Sequence, residues 1–323
     1  MKAAVIHAFG STPAYEDFPD PVAAEGDVMV KVMAVTLENY DRLTARGAHY
    51  ASRHTFPHFP AVVGHLGVGT LPDGKLVAFG GTKPPYGTMA ERAVVPKARA
   101  AYLAPVPEGV APEVAAALPS SAMTSLLPLR WGVKLEPGQS VLIQGATGVA
   151  GKLAVRIARL LGAGRIVATG RDTAGLAALA GLGADAIIGL KATDADVRQA
   201  FAREAGAGYD IILDYLWGHP TELLLQALTP TEAAFATHRT RYVQIGAAAG
   251  AEITLNAEAL RTSGLELGGA SGIPPTALRE ALEQIWTWVL ENKLACDIET
   301  MPLRDIAQAW TRHLPGKRIV LLP

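Results

Sequence analysis

Between Ser140 and Gly246 the chain repeats one phrase: a short apolar run, a turn, then a segment of helix length. The apolar runs are SVLIQ, RIVAT, ADAIIG, YDIILDYL and RYVQIG. Between them lie Val149 to Leu161, with its apolar residues on one helical face, TAGLAALAGLG, DVRQAFAREAG and TELLLQAL. Strands that alternate with helices in this way run parallel, because each helix carries the chain back to the start of the next strand. The expected fold class is therefore α/β, with a doubly wound parallel sheet.

The flanks follow another pattern. From Met1 to about Leu118, β-like runs such as KAAVIHA, DVMVKVMAV and TMAERAVV are broken by turns such as LPDGK, which predicts a mostly β unit. APEVAAALPSSAMTSLLPL reads as two helical pieces joined at Pro119, and the closing IETMPLRDIAQAWTRHLPGKRIVLLP as strand, helix, strand. With 323 residues, half of them hydrophobic, the chain has enough apolar surface for two cores.

Charge and cysteine usage narrow the partner. Lys plus Arg number 29 and Asp plus Glu 30, scattered along the chain, so a nucleic-acid footprint is not expected and a small neutral or anionic molecule is. A single cysteine, Cys296, allows neither an internal disulfide nor a cysteine-rich zinc site and suits a reducing, cytoplasmic setting. MKAAVIHAFG reads as a strand, not a signal peptide, and no run approaches the ~20 apolar residues of a membrane span.

The segment SVLIQGATGVAGKLAVRIARLLG carries the chemistry. Ala146, Gly148 and Gly151 fall at the spacing of G-x-G-x-x-G, with alanine in the first place, between an apolar strand and an amphipathic helix. Gly148 lets the backbone approach a pyrophosphate, Gly151 permits close helix–strand packing, and the helix start at Thr147 and Val149 offers N–H groups to the anion. The alternative is a tight turn with no ligand. After the next strand, the corner that in NAD-binding folds holds an acid on the ribose is Gly170-Arg171. A glycine leaves room and a guanidinium pairs with a 2′-phosphate, so the expected cofactor is NADPH. The competing readings make Arg171 a solvated charge and give the ribose to Asp172, which also suits the N-cap of the following helix.

From MKAAVIHAFG through EPGQSVLIQGATGVAG and YVQIG to PLRDIAQAW and GKRIVLLP, the chain resembles the medium-chain dehydrogenase/reductase family, in its zinc-free quinone oxidoreductase branch. The resemblance implies a GroES-like β domain formed by both chain ends, residues 1–118 with 292–323, and a Rossmann domain, residues 119–291, with the active site in the cleft between them. It assigns Gly218, Ile245, Gly246, Ala270 and Ser271, mainly through backbone atoms, to the ribose and nicotinamide. Trp217 departs from the pattern. Asn39 and Tyr50 match the asparagine and the later tyrosine that face the nicotinamide, although the aspartate expected three places after the asparagine is Arg42, with Asp41 one residue early. Tyr40 is the substitute if the register slips. AEITLNAEALRTSGLELGGA resembles the segment whose strand pairs with a two-fold mate, which implies a homodimer.

Zinc-dependent relatives carry an early cysteine, Gly-His-Glu and a four-cysteine loop. Here VTLENYDRL lacks cysteine, Leu66 follows Gly64-His65, and the cysteine loop is missing. About three protein ligands are needed for a catalytic zinc, and His49, His54 and His58 lie in a segment broken by Pro57 and Pro60. No metal is expected, and His65 becomes a polar lining or packing residue. The resemblance implies an NADPH-dependent reductase of quinones or activated alkenes. A zinc-free carbonyl or alcohol oxidoreductase and a non-catalytic NADPH-binding protein are the alternatives.

Overall fold

The computed structural model describes residues 1–206, 208–230 and 235–323, and they form two compact units, Met1–Pro119 with Trp286–Pro323 and Ser120–Ile285. In chain order the first unit contributes β1 (Lys2–Ile6), β2 (Ala14–Asp17), β3 (Val28–Leu37), β4 (Ala61–Val62), β5 (Leu66–Thr70), β6 (Leu76–Gly80), β7 (Arg92–Val95) and β8 (Leu103–Pro105). The second unit holds β9 (Ser140–Gln144), β10 (Arg165–Gly170), β11 (Ala186–Gly189), β12 (Ile211–Asp214), β13 (Thr240–Gln244) and β14 (Leu265–Gly269). The chain then returns to the first unit with β15 (Asp297–Pro302) and β16 (Lys317–Leu322).

The first unit is β-rich. One small sheet has the order β2-β1-β4, and a larger one runs β15-β16-β3-β5-β6-β8 with β7 also paired to β3. Apart from the parallel pair β15–β16, these pairings are antiparallel. β3 shows why. Val30, Val32 and Ala34 are buried while Lys31 and Met33 are exposed, the alternation of a strand with one face on a core. Val30, Val35, Phe79, Met89, Trp310 and Leu321 belong to that core, so residues from both ends of the chain share it.

The second unit has the sheet order β11-β10-β9-β12-β13-β14, every pairing parallel. Helices Val149–Leu160, Thr173–Leu182, Asp194–Ala205, Gly218–Leu228 and Ala257–Thr262 lie between successive strands. The inner strands β9, β10 and β12 are buried almost throughout, so they read as continuous apolar runs and not as alternation. Leu142, Val167, Phe201, Ile212, Leu224 and Tyr242 form the core, each large side chain contributing roughly 1.5 to 3 kcal/mol on burial. Strand order reverses between β9 and β12, and in such sheets the crevice at the carboxyl ends of the strands at this reversal binds ligands.

Candidate functional site

In the parallel-sheet unit, the sequence-predicted cofactor residues all fall at one edge of the sheet. Ala146, Thr147, Gly148, Val149 and Gly151 follow β9; Gly170 ends β10 and Arg171 follows it; Gly218 follows β12; Ile245 and Gly246 follow β13; Ala270 and Ser271 follow β14. Because the strands are parallel, these are all carboxyl ends, so the structure brings the whole set to the edge where the strand order reverses.

The loop after β9 is built for close approach. Gly145 turns with φ +81°. The Ala146 N–H donates to the Thr169 carbonyl at 2.8 Å, and the Gly145 N–H to Thr169 Oγ1 at 3.2 Å, which pins the loop to β10. A Cβ on Gly151 would lie 2.3 Å from the Gly145 carbonyl oxygen, so only glycine lets the helix pack this close to the turn. Gly148 differs: a Cβ there meets nothing nearer than 3.9 Å, the loop is open above it, and it begins helix Val149–Leu160 with no side-chain cap. An uncapped helix start beneath open space suits an anion. A dinucleotide's pyrophosphate would fit here by this observation.

At the β10 corner the space over Gly170 is not vacant. A Cβ would lie 2.5 Å from Thr147 Cγ2, so the glycine admits the phosphate loop itself. Asp172 caps the next helix, its Oδ2 accepting from the Gly175 N–H at 2.6 Å. Arg171 is exposed, with no hydrogen bond or ion pair to the described residues.

Beneath this edge lies a buried polar cluster that the sequence reading passed over. Asp214, the last residue of β12, is 0 % exposed. Its Oδ1 accepts from the N–H groups of Leu216 and Trp217 at 2.7 and 3.1 Å, and its Oδ2 from Thr221 Oγ1 at 2.6 Å and the Tyr242 hydroxyl at 2.5 Å. Gln144 Nε2 donates to Thr221 Oγ1 at 3.2 Å and to the Gly246 carbonyl at 2.9 Å. Burial, followed by the neighbouring Asp214, pushes the Tyr242 phenol well above its ordinary value. The Tyr215 hydroxyl lies 3.2 Å from Thr124 Oγ1, and burial pushes its pKa up to about 12. The available signal was an aspartate ending the apolar run YDIILD.

In the β-rich unit, Asn39 opens helix Asn39–Ala45 and is exposed, while Tyr50 is 97 % exposed with its ring 4.1 Å from that of His49. No hydrogen bond joins Asn39 to Tyr50, and neither side chain has a hydrogen-bond partner among the described residues. His54 and His58 are exposed. His65 is the centre of a charged group instead. Its Nδ1–H donates to Asp41 at 2.7 Å, its Nε2 lies 3.6 Å from Glu38, and Arg318 reaches Glu38 at 3.4 Å. The Tyr40 ring packs 4.5 Å from the imidazole. Burial disfavours the charged imidazole, but the Asp41 carboxylate and its hydrogen bond, with Glu38, outweigh burial and raise the His65 pKa. Arg42 stands apart from this group. Its guanidinium donates to the carbonyls of Ala309, Trp310 and Arg312 and so caps the end of helix Ile306–Thr311. Among the described residues no three His, Cys, Asp or Glu side chains are grouped so as to hold a metal ion.

With this geometry in view, comparison with known proteins adds relatives. A family model described as zinc-binding dehydrogenase matches residues 182–318. The quinone oxidoreductase of Thermus thermophilus, with crystal structures of the protein and of its complex with NADPH, is 31% identical, with a TM-score of 0.77 over 100% of both chains. The quinone oxidoreductase of Pseudomonas syringae pv. Tomato is 23% identical with a TM-score of 0.81, covering 100% of both chains, and shares the fold. The probable NADPH-dependent quinone reductase tdiC of Emericella nidulans is 25% identical over 100% of each chain. A phenolphthiocerol/phthiocerol polyketide synthase of Mycobacterium tuberculosis is 28% identical over 91% of this chain, which spans 13% of that much longer protein.

Proposed function

The chain belongs to the medium-chain dehydrogenase/reductase superfamily, in its quinone oxidoreductase-like branch, and from that membership we propose that it is an NADPH-dependent reductase of a quinone or an activated alkene, working without a metal. The observation that carries the proposal is the uncapped helix start under the open Gly148, with Arg171 exposed and without a hydrogen bond or ion pair to the described residues at the neighbouring corner. The Thermus protein's complex with NADPH and the name of the Emericella protein support the choice of cofactor.

Bound NADPH would supply a hydride for the electrophilic carbon of the substrate. The backbone from Ala146 to Gly151 would receive the pyrophosphate, and Gly218, Ile245, Gly246, Ala270 and Ser271 the ribose and nicotinamide. Arg171 would pair with a 2′-phosphate, a role that the use of Asp172 as the helix cap leaves to it. Asn39 would hold the carboxamide or the substrate. The Tyr50 hydroxyl, exposed and without a hydrogen-bond partner among the described residues, is free to give a proton to the substrate oxygen, as is solvent. The metal-free reading rests on the donor set: Leu66 stands where zinc enzymes carry glutamate, and both His65 nitrogens face carboxylates.

Oxidation of NADPH by purified protein, followed against a panel of quinones and enones, tests the reading, with Arg171→Ala alongside. Turnover is expected with at least one of them. The variant should weaken NADPH relative to NADH about tenfold, because a charge-assisted bond contributes roughly 1.5 to 3 kcal/mol and exposure brings it to the lower end. Binding without turnover on every acceptor would favour a non-catalytic NADPH-binding role, and a parent preference for NADH would remove the cofactor assignment.

A further inference from the structure

We propose that Asp214 is a positioning residue for the dinucleotide, acting by holding Trp217 in a backbone conformation that tryptophan does not adopt unaided; this rests on the proposed function above. Trp217 has φ +55° and ψ −164°, close to a region that is essentially glycine's alone. Gly218 follows with φ +61°, and a Cβ on it would lie 2.9 Å from the backbone of Ala249 and Gly250. The turn after β12 therefore lies directly on the turn after β13, and the N–H groups of Ala248 and Ala249 donate to the carbonyls of Tyr215 and Leu216.

What keeps residue 217 in this state is Asp214, which takes its N–H on one side. On the other side the indole packs 6.3 Å from the Tyr242 ring, whose hydroxyl also ends on Asp214. Through Thr221 and Gln144 the same network reaches the Gly246 carbonyl. Its two outlets, Gly218 and Gly246, are both cofactor positions in the proposed function. A carboxyl that only filled the core would not need to end on Trp217, the non-glycine residue with positive φ at that edge among the described residues. The strain is thus kept by the buried network and spent on the shape of the crevice.

The experiment is calorimetric titration of NADPH, which needs no substrate, with melting temperature measured in parallel. Asp214→Asn should raise the NADPH Kd about tenfold. Adding Trp217→Gly in that background should bring Kd back to near the value of Trp217→Gly alone, since glycine adopts the conformation freely, while the melting temperature stays lowered because the indole is lost. A purely structural aspartate would move both quantities together. If Asp214→Asn does not fold, Thr221→Val removes one donor from the carboxyl at little change in shape; a Kd raised about threefold and recovered by Trp217→Gly supports the proposal. Parent-like binding in a folded variant, or no recovery with glycine, overturns it. A parent chain that binds neither NADPH nor NADH removes the proposed function as well, so the two failures are told apart.

Discussion

His65 shows how one residue's role depends on what surrounds it. With Asp41 on Nδ1 and Glu38 near Nε2, the folded chain binds the imidazolium more tightly than the unfolded chain does. The stability this gives is fully present below the unfolded pKa of about 6.5 and is lost as pH rises through the raised folded value. Asp41→Asn keeps an acceptor for the Glu38 N–H but removes the charge. Its destabilisation should reach roughly 1.5 to 3 kcal/mol in mildly acidic buffer and shrink in alkaline buffer. Melting curves of parent and variant across that range check this, and a difference that does not vary with pH would dismiss the ion pair. The sequence reading placed Gly64-His65 but not its partners. Arg318 arrives from the far end of the chain, and the helix starting at Asn39 turns Asp41, not residue 42, toward the imidazole.

Among the elements, the turn from β9 into helix Val149–Leu160 was legible because each of its constraints is local: an apolar run, glycines at fixed offsets and a one-faced helix. The two glycines have separable jobs. Gly151→Ala sets a Cβ 2.3 Å from a backbone oxygen, so it should cost stability, about 1 to 3 kcal/mol for an overpacked site. Gly148 has φ −76° and open space above it, so Gly148→Val should melt close to the parent yet bind NADPH at least about tenfold more weakly. Calorimetry on both variants reads the two effects, and a Gly148→Val chain that binds as well as the parent would place the phosphate elsewhere. The Asp214 cluster was hidden for the opposite reason. Its members come from β9, β12, β13 and a helix, and an aspartate closing a strand looks the same in sequence whether it faces water or a core.

For the molecule as a whole, the alternation of strands and helices carried the doubly wound sheet, and the β-like runs carried the antiparallel unit. Which sheet the final strands would join was not readable from periodicity, because β16 pairs with β3 across most of the chain. Among the described residues β14 ends the parallel sheet, pairing with β13 on one side and with no strand on the other. Such an edge is ordinarily covered or paired. A second copy adding its own β14 would extend the sheet, and a homodimer is the expected species in solution. Small-angle scattering at micromolar concentration should give twice the chain mass, and a monomer would count against this pairing.

The pairing of β16 with β3 also has a consequence during synthesis. Arg318 donates to the Leu37 carbonyl from 281 positions further along the chain. At about 5 to 20 residues per second, the ribosome delivers that partner tens of seconds after β3 has emerged. By then every strand of the parallel sheet has been made, so the inserted unit can close first, while the Val35–Leu37 end of β3, beyond the part that β7 covers, waits for its partner. The early β segments pair among themselves but leave that stretch unsatisfied during the interval, and a nascent chain stalled before β16 is expected to aggregate and engage chaperones more readily than one that carries it.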